Sequence, residues 1–193
     1  MRVLRGADAP RVRWRNDGGW TREVHRQPAD VSGTTDVADL FDWRLSIAEV
    51  EANGAFSAFD GYDRVLVLLD GAGMDLHFTE TGERVELRPG NRCARFAGEV
   101  PIEAVLVDGA TTDCNLIWRR DAYQVTVHEG MAGAPPPIVG EGVRGLVYVV
   151  DGRLVAPDGA IAGSGDLLVG DLGESLPGRG TGRSLTFLLA PPG

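Results

Sequence analysis

Two segments of the chain alternate between apolar and polar residues, and their polar positions carry groups suited to binding an anion. The segments are FDWRLSIAEV from residue 41 and DCNLIWRR from residue 113. Their polar sides include Arg44, Ser46, Asp113, Asn115 and Arg119. A period of two is typical of a β-strand with two different faces. Because the planar fork of arginine matches the two oxygens of a carboxylate, the pattern predicts a site for a small acid. The alternative is that both polar faces meet solvent.

Two further features would complete such a site. Arg64 leads into an apolar run, and the Asn16–Arg22 segment contains a Gly18-Gly19 turn before Thr21. Backbone N–H groups of a turn of this kind are able to bind an anion. The expected roles are charge-assisted bonds from Arg22, Arg44 and Arg64, and orientation of the ligand by Asn16 and Asn115.

Other chemistry has little support in the sequence. His25, His77 and His128 are isolated, without the close spacing of metal ligands, so we expect no metal and no cofactor. The sequence has no phosphate-binding loop, no dinucleotide-binding loop and no nucleophile elbow. Cys93 and Cys114 have no histidine close in sequence, which favours packed, buried free thiols over catalysis. Because the chain contains no lysine, Schiff-base chemistry is excluded, and we expect no catalytic residue.

The bulk composition limits the class of partner. The 193 residues carry a formal net charge of −9, which argues against nucleic-acid binding because that requires a basic face. The N-terminus has no apolar signal region, and no stretch approaches the roughly 18 to 20 apolar residues of a membrane span. We therefore expect a cytoplasmic protein that binds neither membranes nor nucleic acids, with a possible homodimer.

Short extended segments separated by turns fill almost the whole chain. The Asp-Gly and Pro-Gly pairs between them are typical of hairpins and turns. Residues 28–40 are polar and predict a loop, and the Pro-rich residues 129–142 predict a linker or a long crossing loop. The main predicted strands are 42–50, 64–69, 73–78, 84–88, 93–96, 102–107, 114–119, 122–128, 145–150, 153–156, 167–169 and 185–189.

A weak internal repeat indicates how these strands are organised. RVLVLLDGAGMDL and GLVYVVDGRLV both place an Asp-Gly turn between two extended runs, at Asp70-Gly71 and Asp151-Gly152. This order is typical of a double-sheet jelly roll, so we predict an all-β, cupin-like bicupin. The predicted domains are residues 41–120 as a first barrel and residues 121–193 as a second, smaller one. Residues 1–27 would supply N-terminal strands and the turn that joins the barrels.

The motifs between residues 14 and 120 resemble those of the HutD/Ves family, in the family's order. The chain departs from the family's usual Asn-Gly-Gly-Gly at Asp17 and from its usual Asp-Phe-Asn at Cys114. The matching pieces are Trp14-x-Asn16-x-Gly18-Gly19-x-Thr21-Arg22-Glu23, FDWRLSIAEV, Gly54-x-Phe56-Ser57-x-Phe59-x-Gly61-x-Asp63-Arg64, Asp70-Gly71-x-Gly73, Phe96-x-Gly98, Leu106-x-Asp108-Gly109, Asp113-x-Asn115 and Arg119-Arg120.

The resemblance implies a bicupin without metal-binding histidines and without an established enzymatic activity. It links the chain to histidine utilisation, with urocanate or a formylglutamate-like acid as the bound metabolite, or to a stress response. The leading hypothesis is therefore a non-catalytic protein that binds a small anionic metabolite. One alternative is an enzyme acting on a small carboxylic acid, with Glu49 or Asp63 as general base. A second alternative is a structural or protein-interaction module.

Overall fold

The structure is a computed structural model that describes residues 1–29, 40–131 and 134–193. Most of the predicted loop at 28–40 and two residues of the predicted linker at 129–142 lie outside this description. One short 3₁₀ helix, Gly6–Asp8, accompanies the strands. The strands are β1 (Arg2–Leu4), β2 (Arg11–Arg13), β3 (Gly19–Pro28), β4 (Phe41–Val50), β5 (Gly54–Ala55), β6 (Tyr62–Asp70), β7 (Met74–Phe78), β8 (Arg84–Leu87), β9 (Cys93–Ala97), β10 (Ile102–Leu106), β11 (Thr111–Arg119), β12 (Gln124–Met131), β13 (Arg144–Val149), β14 (Arg153–Val155), β15 (Ile161–Gly163), β16 (Leu167–Leu172), β17 (Arg179–Thr181) and β18 (Arg183–Ala190).

The chain forms two compact units. The first unit is Pro10–Asp121, and the second unit combines Met1–Ala9 with Ala122–Gly193. The segment predicted to join two barrels, residues 1–27, is divided between them. Strand β1 pairs with β16 in the second unit, whereas β2 and β3 pair with each other and with β4 in the first.

The first unit consists of two sheets that share one apolar core. The larger sheet has the order β2-β3-β4-β11-β6-β9, and the smaller has the order β5-β10-β7-β8. Alternate residues of β4 and β6, among them Ala48, Val50 and Leu66, pack with Met74 and Leu76 of the smaller sheet. The same faces of β4 and β6 carry Arg44 and Arg64, because side chains two residues apart point the same way. The polar face predicted from the sequence is therefore an inner face.

The second unit repeats this plan on a smaller scale. Its sheets have the orders β1-β16-β13-β18-β12 and β15-β14-β17, and they enclose a core that includes Val147, Leu154 and Leu168. The Asp-Gly turns predicted from the repeat are present in both units. Gly71 and Gly152 adopt φ values of 99° and 79°, a region that glycine enters without steric cost.

The all-β prediction is confirmed, and most strand limits agree with it to within one or two residues. Strands β12, β16 and β11 differ most, by three residues at one end, and β11 begins at Thr111 rather than at residue 114. Its first residues, Thr111, Thr112 and Asp113, are polar and read as part of the preceding turn, yet they pair with β4. Among the described residues, no helix has the length and apolar character needed to span a membrane.

Candidate functional site

The register of the larger sheet brings the two predicted arginines onto one face. Ile117 of β11 is the partner of Arg44 on β4 and of Arg64 on β6. Side chains that are directly opposite in antiparallel strands lie on the same face of the sheet. The next position along this face pairs Asn115 with Ser46, and the position after that holds Asp113. We call Arg44, Ser46, Arg64, Asp113 and Asn115 the polar cluster.

The polar cluster is buried, so solvent does not compensate for its polar groups. Arg64, Ser46 and Asn115 have relative exposures of 4%, 2% and 8%. Arg44 is the most accessible member, with 17% of its side chain exposed. Burying charged and polar groups costs free energy unless they find partners. The alternative that this face meets solvent is therefore excluded for Arg64, Ser46 and Asn115.

Arg64 has few partners for a buried cation. Its Nη1 donates a hydrogen bond of 3.1 Å to the carbonyl oxygen of Ser57, and its Nε has no hydrogen-bond partner among the described residues. The guanidinium carbon lies 5.2 Å from the ring centroids of Phe56 and Phe96. Burial lowers the pKa of Arg64 to about 10, against an opposing effect of Asp113. Arg64 therefore remains cationic at neutral pH and retains a donor.

Arg44 sits between aromatic rings and one acidic residue. Its guanidinium carbon is 5.4 Å from the centroid of Phe41 and 4.8 Å from that of Phe59. The Nε atom is 3.8 Å from Oε2 of Glu23 but makes no hydrogen bond within the described part of the chain. Burial lowers the pKa of Arg44, while the charge of Glu23 acts in the opposite direction. Phe59 also lies 5.5 Å from Arg64, so the two cations flank a shared ring.

The other members of the cluster keep unused acceptors. Ser46 Oγ donates a long hydrogen bond of 3.5 Å to the backbone oxygen of Asn115. Neither Oδ1 of Asn115 nor either carboxylate oxygen of Asp113 accepts a hydrogen bond from any described residue. The cluster therefore offers cationic donors near one end of the face and acceptors further along it.

Asp113 lies on the predicted polar face but is not among the residues predicted to bind the ligand. It is 1% exposed, and burial raises the pKa of its carboxyl to about 7, although Arg64 opposes this effect. The available signal was its two-residue spacing from Asn115, which places both side chains on one face. That signal was weakened because the predicted strand began after Asp113.

The glycine turn at the start of the first unit lies outside the cluster and satisfies its own polar groups. Asn16 Oδ1 accepts a 3.1 Å hydrogen bond from the Gly18 N–H, and the Gly18 carbonyl accepts bonds from Glu51 and Ala52. A Cβ at Gly19 would lie 2.3 Å from the carbonyl oxygen of Glu49. These contacts fix the turn against β4.

Three further predicted residues have other surroundings. Thr21 Oγ1 accepts a 2.7 Å hydrogen bond from Trp14 Nε1, and Trp14 packs against the core of the first unit. Arg22 pairs in register with Ile47, so its side chain leaves the opposite face from the cluster. Arg119, at the end of β11, forms ion pairs with Asp42 and Asp121.

The general bases considered for an enzyme also lie elsewhere. Glu49 forms an ion pair with Arg11, and Asp63 forms a 2.7 Å ion pair with Arg120. Both occupy strand positions that alternate with those of the cluster. Within residues 1–29, 40–131 and 134–193, no three His, Cys, Asp or Glu side chains are grouped closely enough to hold a metal ion.

The expectation of two buried thiols holds for only one cysteine. Cys114 is fully buried on β11, and burial raises the pKa of its thiol well above the usual value. Cys93 is exposed, so the prediction for that residue is wrong. It starts β9, the outermost strand of its sheet, where a side chain has no neighbouring strand on one side.

Comparison with known proteins identifies relatives of this chain. The HutD family model matches residues 6–183. An uncharacterised 21.2 kDa protein in the hutC 3′ region of Pseudomonas putida is 39% identical over 124 residues, which cover 64% of this chain and 61% of the relative. Protein Ves of Cronobacter sakazakii is 35% identical over 144 residues, covering 72% of this chain and 70% of the relative.

Solved structures agree with these relationships. HutD from Pseudomonas fluorescens SBW25, determined in a formate condition, aligns with a TM-score of 0.76 and 30% identity, covering 100% of this chain and 99% of that one. The bacterial pirin YhhW of Escherichia coli, in complex with nickel(II), covers 100% of this chain and 99% of its own at a TM-score of 0.68. At 10% identity that likeness concerns the fold alone, and it supports the cupin-like class. The chain therefore belongs to the HutD/Ves family, as its motifs predicted.

Proposed function

We propose that the first unit binds a small carboxylate without transforming it, with urocanate or a formylglutamate-like acid as the ligand. The observation that carries this proposal is the pair of arginines, buried Arg64 and half-buried Arg44, each with an Nε that has no hydrogen-bond partner among the described residues. The family's link to histidine utilisation supports these acids as candidates. In that role the protein would modulate histidine catabolism, or a stress response, by holding a metabolite.

A bound carboxylate would compensate the positive charges of the two arginines on this face. The positive charge of Arg44 lowers the pKa of Arg64. An anion between them reverses this effect and accepts the unused N–H donors. Phe59, in contact distance of both guanidinium groups, supplies an apolar surface for the planar or aliphatic part of the acid.

Isothermal titration calorimetry with urocanate and with N-formylglutamate tests the proposal. We expect saturable binding of at least one acid to the wild-type protein. Binding should be weakened by Arg44→Ala and by Arg64→Ala but not by Arg119→Ala, because Arg119 is paired with Asp42 and Asp121. Absence of binding for both acids, or unchanged affinity in Arg44→Ala and Arg64→Ala, would contradict the proposal.

One observation favours a second candidate, an enzyme acting on a small carboxylic acid. Asp113 is a buried carboxyl whose pKa is raised to about 7, the range expected of a general base at neutral pH. Incubating the protein with each acid and following it by NMR separates the two functions. Stable ligand spectra agree with the binding protein, whereas product signals that disappear in Asp113→Asn would identify an enzyme.

A further inference from the structure

The interior face of β11 has hydrogen-bond donors beside one end of the strand and acceptors further along it. At the first level, Arg44 and Arg64 flank Ile117; at the second, Ser46 pairs with Asn115; at the third lies Asp113. Successive levels are two residues apart, which is about 7 Å along a strand. A ligand held by its carboxylate at the first level would therefore extend towards the acceptors at the other two.

The acceptors at the deeper levels have no donors within the described structure. Both oxygens of Asp113 and Oδ1 of Asn115 are buried and accept no hydrogen bond from a described residue. The charges that share this face with Asp113 come from Arg64 on β6 and Arg44 on β4, and the charge of Arg64 lowers the pKa of Asp113 against the effect of burial. Burying an acceptor that receives no hydrogen bond costs free energy. These acceptors therefore favour a ligand that carries a hydrogen-bond donor.

Packing alone does not explain these groups. The third-level neighbours of Asp113 in register are Ala48 and Leu68, which have no donors in their side chains. A valine or leucine at residue 113 would pack against these apolar neighbours, and burying it would cost less free energy than burying an unpaired carboxyl. By contrast Asp75, a carboxylate of the same unit with 8% exposure, is held by Arg84 and Arg88 at 2.6 and 2.7 Å.

We propose that Asp113 and Asn115 select acids that carry an N–H donor at the end opposite the carboxylate. The inference rests on the proposed function, because it assumes that Arg44 and Arg64 hold the carboxylate. It names the ligand class more narrowly: an acid with an imidazole or amide N–H is accepted. Of the two candidate acids this favours urocanate, because the second carboxylate of a formylglutamate-like acid would face the carboxyl of Asp113.

A pair of acids of similar shape, one with a ring N–H donor and one without, tests this selection. Urocanate has an imidazole ring, and 3-(2-furyl)acrylate has the same skeleton with a furan ring that lacks any N–H. By calorimetry at pH 8, we expect the wild-type protein to bind urocanate at least about tenfold more tightly. Equal affinity for the two acids would contradict the proposed selection for an N–H donor but would agree with carboxylate binding. If neither acid binds, both proposals are contradicted.

Variants assign the selection to Asp113. In Asp113→Val we expect the preference to fall to within about threefold, with furylacrylate bound at least as tightly as before because a nearby negative charge is gone. The matched control, Asp75→Val, removes an ion-paired carboxylate of the same unit and should keep the full preference. Asp113→Asn, which preserves the shape of the side chain, should give an intermediate preference. Selection that persists unchanged in Asp113→Val and in Asp113→Asn overturns the assignment.

Discussion

Arg44 and Arg64 are both register partners of Ile117, one on each side of strand β11. Their backbones are separated by two strand spacings, roughly 10 Å, and their side chains leave the same face. Both lie among phenylalanine rings, and the Nε of Arg44 is also 3.8 Å from the carboxylate of Glu23. Two cations placed in this way lose solvation and repel each other, so their position is favoured by a bound anion.

Removing either arginine should weaken binding of the acid by an amount that depends on burial. Charge-assisted hydrogen bonds contribute about 1.5 to 3 kcal/mol, so we expect Arg64→Ala to weaken binding roughly a hundredfold and Arg44→Ala roughly tenfold. Arg44 has the smaller effect because its side chain is 17% exposed and already faces Glu23. Titration calorimetry measures both, with Arg119→Ala as the control. Equal losses in all three variants would indicate a nonspecific effect of charge.

Asp113 should make the stability of the protein depend on pH in an unusual direction. Its carboxyl has a pKa of about 7 in the folded chain against an ordinary value of 3.8, so the folded state binds the proton more tightly. Its contribution to stability is therefore complete below pH 3.8 and is lost as the pH rises towards 7. Over this range the loss is on the order of 4 kcal/mol, to which Asp113→Asn is not subject.

Urea unfolding followed by tryptophan fluorescence measures this effect. The free energy of unfolding of Asp113→Asn, relative to that of the wild type, should increase between pH 4 and pH 8. Using the difference cancels the other carboxylates, which titrate in both proteins. A difference that stays constant with pH, or that decreases, would show that Asp113 is not desolvated in the folded state.

The departure from the family pattern at residue 17 should carry a small cost in stability. Asp17 adopts a φ of 56°, in the left-handed region that an L-residue enters with strain. Glycine, the family's usual residue there, has no Cβ to strain. We expect Asp17→Gly to stabilise the first unit by up to about 1 kcal/mol, and Asp17→Ala to destabilise it. A thermal melt that ranks alanine above glycine would contradict this.

Gly19 should tolerate no side chain. A Cβ there would lie 2.3 Å from the backbone oxygen of Glu49 on the paired strand, which cannot move without breaking the β3–β4 ladder. We expect Gly19→Ala to reduce the free energy of unfolding by about 2 kcal/mol or more. Gly90→Ala is the matched control, since a Cβ at that position meets no atom within 4 Å. Chemical denaturation that gives similar values for the two variants would contradict the structural role of Gly19.

Much of this site follows from alternation in the sequence, but its location inside the unit does not. The period of two correctly placed Arg44 with Ser46 and Asn115 on a polar face. It does not distinguish a face that meets solvent from one that faces a second sheet, because that depends on the β5-β10-β7-β8 sheet. Pairing between strands distant in sequence determines that Arg64 joins them.

For two other predicted residues, charge and spacing in the sequence do not predict the neighbours found in the structure. Arg119 has the alternation of the cluster, yet it lies at the last position of β11 and pairs with Asp42 and Asp121. Arg22 has the required charge, but the register of β3 turns it to the other face. A charge and a spacing in the sequence define a face of one strand, whereas the strand's end and its register decide which neighbours that face meets.

A crystal structure of the protein grown with urocanate would show whether the polar cluster is the binding site. We expect the carboxylate within hydrogen-bonding distance of the Arg64 guanidinium and beside Arg44, with a ring nitrogen directed towards Asp113 and Asn115. Urocanate bound elsewhere, or a first unit whose polar cluster remains without ligand at saturating urocanate, would contradict this expectation.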